Sequence, residues 1–162
     1  MLFRSKKKPD ELSYASFGNG SASHLAGELF TNQAGIKMTH IPYKGGGPAI
    51  TDTLGGQVPM SFSAFGVALP HVKSGKLIAL GTTGPTRARL LPDVPTIEEA
   101  GNLKAYEMSI VYAVWAPAGV PAPIVNKLTK ALEQVVASAA FKEKVSSDGG
   151  EVMNLSTPAE SK

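Results

Sequence analysis

Two loops rich in glycine and serine contain the groups in this chain that could do chemistry. The first lies at residues 18–23, Gly-Asn-Gly-Ser-Ala-Ser, and the second at residues 42–48, Pro-Tyr-Lys-Gly-Gly-Gly-Pro. Glycine allows the backbone to take positive φ and to approach a ligand closely. The first N–H groups of a helix lack partners within the helix and carry partial positive charge. A loop of this kind before a helix predicts an anion site, and a well-capped loop without a ligand is the equal alternative for the first loop taken alone.

The first loop lies between a predicted strand and a predicted helix. Residues 12–15 read as a short strand, and apolar residues from Leu25 to Phe30 repeat at helical spacing. Ser21 or Ser23 is the candidate N-cap of this helix. A dinucleotide fingerprint would need a third glycine that this loop lacks, so we do not predict a dinucleotide site.

The second loop repeats the same arrangement. Gly35 ends the first helix, residues 38–41 read as a strand, and Pro48 lies in the first turn of a helix over residues 49–54. Both loops would therefore lie at the carboxyl ends of strands. In an open α/β sheet that edge is where ligands bind, which favours the anion site over the capped loop.

The rest of the chain continues to alternate strands and helices. The apolar run over residues 76–82 gives the strongest strand prediction, because it suits a buried parallel strand. Other strands are predicted at residues 58–65, 109–116 and 151–154, and other helices at residues 67–73, 97–100, 122–138 and 141–147. Thr96 is a plausible cap for the helix at 97–100, and residues 156–160 read as the start of another helix. The alternation predicts an α/β fold with a mostly parallel sheet.

Composition excludes several classes of protein. Hydrophobic residues make up 43% and charged residues 18% of the 162 residues, which is typical of a globular domain. Much of the net charge of +3 lies in Arg4 and residues 6–8, so a nucleic-acid partner has little support. The chain has no cysteine, which excludes disulfides and zinc–thiolate sites. We find no apolar run long enough to cross a bilayer and predict no signal peptide in this chain.

The polar side chains do not assemble a reaction centre in the sequence. His24, His40 and His71 lack metal-ligand spacing, and none lies near a serine or aspartate in a pattern typical of a catalytic triad. We therefore predict no catalytic residue, no metal and no cofactor.

Four other side chains have two plausible roles each. Lys44 either offers its charge to a ligand or faces solvent, and Tyr43 either flanks the ligand or packs under its loop. Arg87 and Arg89 could bind an anion, although an ion pair with Asp93, Glu98 or Glu99 is the favoured interpretation. For Trp115 we expect packing in the core.

Longer phrases of the sequence resemble one known family. The chain is similar to the solute-binding proteins of tripartite tricarboxylate transporters, the Bug or TctC-like family. The matching phrases are LSYAS-x-GNGS (12–21), HLAGELF (24–30), PYKGGGPA (42–49), LGGQV (54–58), LPHVKSGKL (69–77), LPDVPTIEEAG (91–101) and APAGVP (116–121). Their order and spacing are much more specific than either glycine loop alone.

The resemblance implies the fold of type II periplasmic binding proteins, in which two α/β lobes close on a small organic acid. It implies one complete parallel-sheet lobe plus part of a second lobe. Residues 1–9 would be a basic tail, residues 10–111 the ligand-binding lobe, and residues 112–162 a crossover strand with an incomplete C-terminal part of the other lobe. Relative to the family pattern, the chain resembles a protein truncated at both ends.

The resemblance also implies which residues bind the ligand. Main-chain N–H groups and hydroxyls of the two loops would hold one carboxylate. The implied ligand-binding residues are Ser16, Gly18, Asn19, Gly20, Ser21, Ser23, Tyr43, Lys44, Gly45, Gly46, Pro48 and Ser63. Many family members carry an acidic or amide residue close to Ser63, so one polar contact to the far end of a ligand could be missing here.

The implied function is the solute-binding component of a tripartite tricarboxylate-type transporter, located in the periplasm and partnered by the membrane subunits. Its ligand would be a di- or tricarboxylate, an aromatic acid or an amino acid. One alternative is an incomplete fragment that does not bind, or that forms a homo-oligomer through the exposed apolar stripe of the helix at 122–138. A less favoured alternative is an enzyme acting on a phosphorylated or carboxylated substrate at the same loops.

Overall fold

The structure is a computed structural model that describes residues 12–110, 112–150 and 152. The chain divides into two compact units, residues 1–110 and residues 111–162. In the first unit the elements are β1 (Ser13–Ser16), α1 (Ala22–Ala34), β2 (Thr39–Pro42), α2 (Gly46–Leu54), α3 (Phe65–Lys73) and α4 (Ile97–Gly101). In the second unit they are α5 (Ala122–Ala137) and α6 (Ala139–Ser147).

Parallel pairing of β1 with β2 organises the first unit. Ser13 lies opposite Thr39, and Ser16 lies opposite Pro42. On its other side, β1 meets the extended residues 60–62, because the Ala15 N–H donates to the Met60 carbonyl at 2.9 Å and the Phe62 N–H donates to the Ala15 carbonyl at 3.2 Å. Three parallel segments therefore lie side by side with β1 in the middle.

Side chains of β1 alternate between two apolar clusters. Tyr14 packs with Phe30 of α1 and with Phe62, whereas Ala15 packs with Ala49 of α2 and with Val58. Successive strand residues point to opposite faces, so α1 covers one face of the sheet and α2 covers the other. The Tyr14 ring lies directly over Gly27, where a Cβ atom would be 2.3 Å from the ring.

Tyr106 closes the cluster around Tyr14. Its side chain is 1% exposed, and its hydroxyl donates to the Ala26 carbonyl at 3.0 Å. Burial raises the pKa of Tyr106 to about 12, since the ionised form would lose its hydration.

Local helix signals from the sequence are confirmed. Ser21 is the N-cap of α1 and accepts a hydrogen bond from the His24 N–H, and Gly35 ends the helix in the left-handed region at φ +61°. Thr96 caps α4 in a complete capping box with Glu99. Pro48 lies in the first turn of α2, and the helices predicted at 122–138 and 141–147 form within one or two residues of their predicted bounds.

Three of the predicted strands are wrong. In residues 58–65 the ladder is limited to a single bridge at Ser61, and α3 already begins at Phe65. In residues 76–82 only Thr82 pairs, with Thr96, and Ile78 is 84% exposed. The described part of residues 109–116 forms no strand. An apolar run becomes a strand only where a neighbouring segment exchanges backbone hydrogen bonds along its length. Within the part of the chain that the structure describes, residues 58–65 find such a partner only around Ser61, and residues 76–82 find one only at Thr82.

Other corrections concern apolar side chains. Trp115 is 86% exposed instead of packed in a core. Tyr112 and Val114 are also exposed. On α5, Ile124, Leu128 and Val135 are exposed, as expected for the apolar stripe of this helix. The strand predicted at residues 151–154 and the helix start at 156–160 lie outside the described residues, apart from position 152. No helix among the described residues has the length and apolar character needed to cross a membrane.

Candidate functional site

Three helices begin at the edge of the sheet where three parallel segments end. α1 follows β1, α2 follows β2, and α3 follows residues 60–62. Because Ser16 lies beside Pro42 and Ala15 beside Ser61, the three helix N-termini are brought to one edge. Each N-terminus carries partial positive charge and unpartnered N–H groups, so this edge can attract an anion.

The first two loops are held against each other by their backbones. The Tyr43 N–H donates to the Ser16 carbonyl at 3.1 Å, and the Gly45 N–H donates to the Phe17 carbonyl at 3.2 Å. Gly18 has φ +127°, and a Cβ atom there would be 3.1 Å from the Tyr43 carbonyl oxygen. The close approach of the loops therefore requires glycine at position 18.

The serine hydroxyls of the first loop bind groups of the loop itself. Ser16 is fully buried, and its Oγ accepts the Gly18 N–H at 3.1 Å. Ser23 Oγ accepts the Phe17 N–H at 2.8 Å. Ser21 Oγ donates to the Gly18 carbonyl at 2.7 Å while it caps the helix. In this conformation these three hydroxyls shape the loop instead of facing a ligand.

Several backbone N–H groups remain available for an anion. Among the described residues, the N–H groups of Asn19, Ala22 and Ser23 find no acceptor in the first loop. In the second loop the same holds for Gly46 and Gly47, the first two residues of α2. Neither α2 nor α3 has a side-chain cap, so nothing from the described side chains competes with a ligand at those two N-termini.

Tyr43 packs under its loop, one of the two roles left open by the sequence. Its hydroxyl donates to Asp52 Oδ2 at 2.7 Å, and this hydrogen bond is the main cause that raises the pKa of Tyr43. The ring packs on the cluster that contains Ala15 and Val58. Lys44 is exposed, which agrees with the solvent-facing role left open by the sequence, and Pro48 is exposed on the first turn of α2.

Gly46 and Phe17 join the two loops to α3. A Cβ atom on Gly46 would lie 3.1 Å from Phe17 Cζ and 3.1 Å from Val67 Cγ2. Any larger residue would push these groups apart, so Gly46 keeps the N-terminus of α2 close to both neighbours.

Ser63 has the strongest individual signal for a ligand contact. It lies at the same edge, directly before Ala64, which is the N-cap of α3. Its Oγ is buried and has no hydrogen-bond partner among the described residues. Leaving a buried hydroxyl unpaired costs about 1–3 kcal/mol. Unlike Ser16, Ser63 is only partly buried as a residue, so a rotation of its side chain that turns Oγ toward a bound anion would remove that cost.

A cluster of polar side chains next to the first loop was not predicted. His40 Nε2 lies 2.6 Å from Ser16 Oγ, and the His24 and His40 rings stack with centroids 4.0 Å apart. The sequence pattern around the three histidines does not indicate this contact. The contact joins residues 24 positions apart and depends on the register of β1 and β2, which the sequence alone does not show.

The Ser16–His40 contact is not an accessible nucleophile with its base. Ser16 is 0% exposed, so an incoming substrate cannot reach its hydroxyl. Burial is the main cause that lowers the pKa of His40, the charge of His24 acts in the same direction, and Glu28 opposes both. No group of three metal-ligating side chains occurs within residues 12–110, 112–150 and 152.

Away from this edge, Arg87 forms an ion pair with Glu99, which is the role favoured by the sequence. Its Nε donates to Glu99 Oε2 at 2.9 Å, and the same carboxylate accepts the Thr96 N–H. The Thr96 N–H and the Arg87 side chain together lower the pKa of Glu99. These interactions hold the loop before α4 and place Arg87 in a structural role.

Three solved structures share this architecture. Rpa4515 from R. palustris, solved with adipate, is 31% identical with a TM-score of 0.85, and the match covers 93% of this chain and 50% of that chain. The periplasmic binding protein BugD is 37% identical with a TM-score of 0.81, over 94% of this chain and 50% of that chain. MatC from Rhodopseudomonas palustris with bound malate is 28% identical with a TM-score of 0.80, and the match covers 94% of this chain and 52% of that chain. The chain has the α/β fold of periplasmic binding proteins over about half of their length.

The family can be stated more narrowly. The TctC family, described as the tripartite tricarboxylate transporter family receptor, matches residues 2–161. This chain belongs to that family, and the resemblance found in the sequence is confirmed. A curated relative, the UPF0065 protein in the TAR-I ttuE-ttuC' intergenic region of Agrobacterium vitis, is 36% identical over 156 residues. That match covers 95% of this chain and 45% of the relative, so the chain spans about half the length of the relative.

Proposed function

We propose that this chain forms a carboxylate-binding wall of a solute receptor. The observation that carries the proposal is the edge where α1, α2 and α3 begin, with N–H groups that have no acceptor among the described residues. A carboxylate offers two oxygens that accept several such hydrogen bonds, and charge makes each bond roughly twice as strong as a neutral one. Backbone donors then hold the anion, and the exposed Lys44 adds at most a screened charge.

The ligand class is inferred from the helix N-termini at this edge and from the ligands of two structural neighbours. Rpa4515 was solved with adipate and MatC with malate, both small dicarboxylates. The unpartnered Ser63 hydroxyl adds a donor at the third segment, which suits a carboxylate held between the three helix N-termini. A small organic acid with at least one ionised carboxylate is therefore the proposed ligand.

The setting of this site is proposed from the family. Because the chain covers about half of its structural neighbours, the opposite wall of a closed cleft would come from a second lobe. The membrane subunits of a tripartite tricarboxylate-type transporter are the proposed partners, and the periplasm is the proposed location, since the family is a transporter receptor family and BugD is a periplasmic binding protein.

A second candidate function rests on exposed apolar side chains in the second unit. Tyr112, Val114 and Trp115 are 76–89% exposed, and Ile124, Leu128 and Val135 form an exposed stripe on α5. Such surface favours association, and a second copy of this chain is the proposed occupant. Light scattering over a range of concentrations tests it: a dimer or larger assembly is expected, and a monomer at every concentration contradicts it.

Enzymatic activity has less support. The family is a receptor family, and the side-chain contact between Ser16 and His40 is buried. Neither observation provides an accessible nucleophile with a positioned base, which acyl transfer or hydrolysis would need.

Titration followed by backbone amide NMR tests the proposed site directly. Malate or adipate is added to ¹⁵N-labelled chain, and we expect the largest shifts at Asn19, Ala22, Ser23, Gly46 and Gly47. Dimethyl malate is the matched control, because it has the same skeleton without charge and should produce no saturable shift. Saturable shifts confined to other residues would contradict the proposed site.

A further inference from the structure

Three aromatic rings form a stack beside the first loop, which we call the histidine stack: Tyr14 of β1, His40 of β2 and His24 of α1. The centroids of Tyr14 and His40 are 5.0 Å apart, and those of His40 and His24 are 4.0 Å apart. The stack crosses three elements and ends on the loop that carries the proposed ligand groups. It therefore connects the core of the first unit with the position of that loop.

The His24 side chain holds the loop through one hydrogen bond. The Gly20 N–H donates to His24 Nδ1 at 3.1 Å. Nδ1 can accept only while it carries no proton. The observed loop conformation therefore requires the neutral imidazole with its proton on Nε2. A doubly protonated ring would place an N–H group against the Gly20 N–H. The Gly20 amide would then have to turn away, which its glycine backbone permits.

The described charged or titratable groups that contact the His24 ring influence which of its two nitrogens carries a proton. From α1 itself, Glu28 Oε1 lies 3.8 Å from His24 Nε2, and it also accepts the Tyr14 hydroxyl at 2.6 Å. From β2, His40 lies flat against the ring, and its Nε2 contacts Ser16 Oγ. Glu28 favours a proton on Nε2, which in the neutral ring leaves Nδ1 free to accept, and it also stabilises the doubly protonated ring, whereas a charge on His24 opposes one on His40.

We propose that His24 is a positioning residue, which fixes the ligand loop through Gly20 only while Nδ1 is unprotonated, so that acidification releases this amide and weakens carboxylate binding. The last step rests on the proposed function. A protonated His24 would also bring a positive charge near the anion. However, the Glu28 carboxylate already faces the same ring, so the pair is close to neutral and the loss of loop geometry decides the direction.

The positioning role is tested without any ligand. Amide spectra of the ¹⁵N-labelled chain are recorded between about pH 8 and pH 5, the range in which imidazoles titrate. We expect the Gly20 amide to shift with one inflection that coincides with the titration of the His24 ring, and to exchange faster with water at the acidic end. A Gly20 amide without an inflection, or one that does not follow the His24 ring, overturns the proposal.

Two variants separate this role from general effects of pH. His24→Asn keeps an acceptor near the Nδ1 position but removes the titration, so the Gly20 inflection should disappear while the loop shifts stay close to those of the neutral form. His71→Asn removes a histidine on α3, outside the histidine stack, and should leave the Gly20 inflection unchanged. An inflection that survives His24→Asn contradicts the assignment.

Binding is then measured by calorimetry with malate and adipate at pH 6 and above, where both acids are largely ionised. We expect affinity to fall with acidification by at most about tenfold per pH unit, the limit for one linked proton, and to become flat in His24→Asn. An affinity that rises on acidification overturns the coupling. If the Gly20 titration is present but neither acid binds at any pH, the positioning role stands and the proposed function fails.

Discussion

Hydroxyl groups that the sequence offers as ligand contacts become structural in the folded loop. Ser16, Ser21 and Ser23 all bind backbone groups of residues 17–24, and this leaves the N–H groups of Asn19, Ala22 and Ser23 as the available donors. Glycine and serine content predicts an anion loop, but it does not show which groups are consumed. The contact of His40 with Ser16 was likewise unpredictable, because it depends on strand register.

Ser63 provides a sharp test at the scale of one residue. Ser63→Ala removes a buried hydroxyl without a partner among the described residues, so we expect the free energy of unfolding to rise by about 1 kcal/mol in urea denaturation. The same change should weaken malate or adipate binding about tenfold or more, since a hydrogen bond to a charged group is worth about 1.5–3 kcal/mol.

Thr82→Val is the matched control for Ser63→Ala. Thr82 Oγ1 is also buried without a described partner, but Thr82 pairs with Thr96 and lies outside the candidate site. Loss of the Thr82 hydroxyl should raise the free energy of unfolding by a similar amount and leave the affinity for malate or adipate unchanged. Equal effects of the two variants on binding would show that Ser63 does not contact the ligand.

Secondary-structure elements differ in how far the sequence determines them. Helix ends were predicted well because their signals are local: Ser21, Gly35 and Thr96 act on backbone groups within four residues. The strands at residues 58–65, 76–82 and 109–116 were not, because a strand needs a neighbour from elsewhere in the chain. The hydrophobic content of residues 76–82 shows that they suit burial, but it does not show which segment would cover them.

The exposure of Ile78 leads to a stability prediction for this segment. Ile78 is 84% exposed, so Ile78→Ala should change the free energy of unfolding of this chain by no more than about 0.5 kcal/mol. Ile50 on α2 is 6% exposed, and Ile50→Ala should cost about 2–5 kcal/mol. Denaturant unfolding of both variants measures the difference. A loss for Ile78→Ala close to that of Ile50→Ala would mean that this segment is buried in solution.

As a whole molecule, the chain corresponds to about half the length of its structural neighbours. It matches the receptor family over residues 2–161 and covers about half of its structural neighbours. Within its first unit, β1, β2 and residues 60–62 place three helix N-termini at one edge. We therefore expect this edge to bind a carboxylate, with selectivity set by the segment that forms the opposite wall.

Thermal unfolding of the 162-residue chain with a panel of organic acids tests this central claim most directly. The panel contains malate, adipate, citrate, glutamate, nicotinate and terephthalate, each in large excess, with dimethyl malate as the uncharged control. A ligand at one hundred times its Kd stabilises the folded state by about 2.7 kcal/mol, which raises Tm by about 5–10 °C for a domain of this size. We predict a rise of this order with at least one acid and none with the diester. An unchanged Tm with every acid would contradict carboxylate binding by this chain.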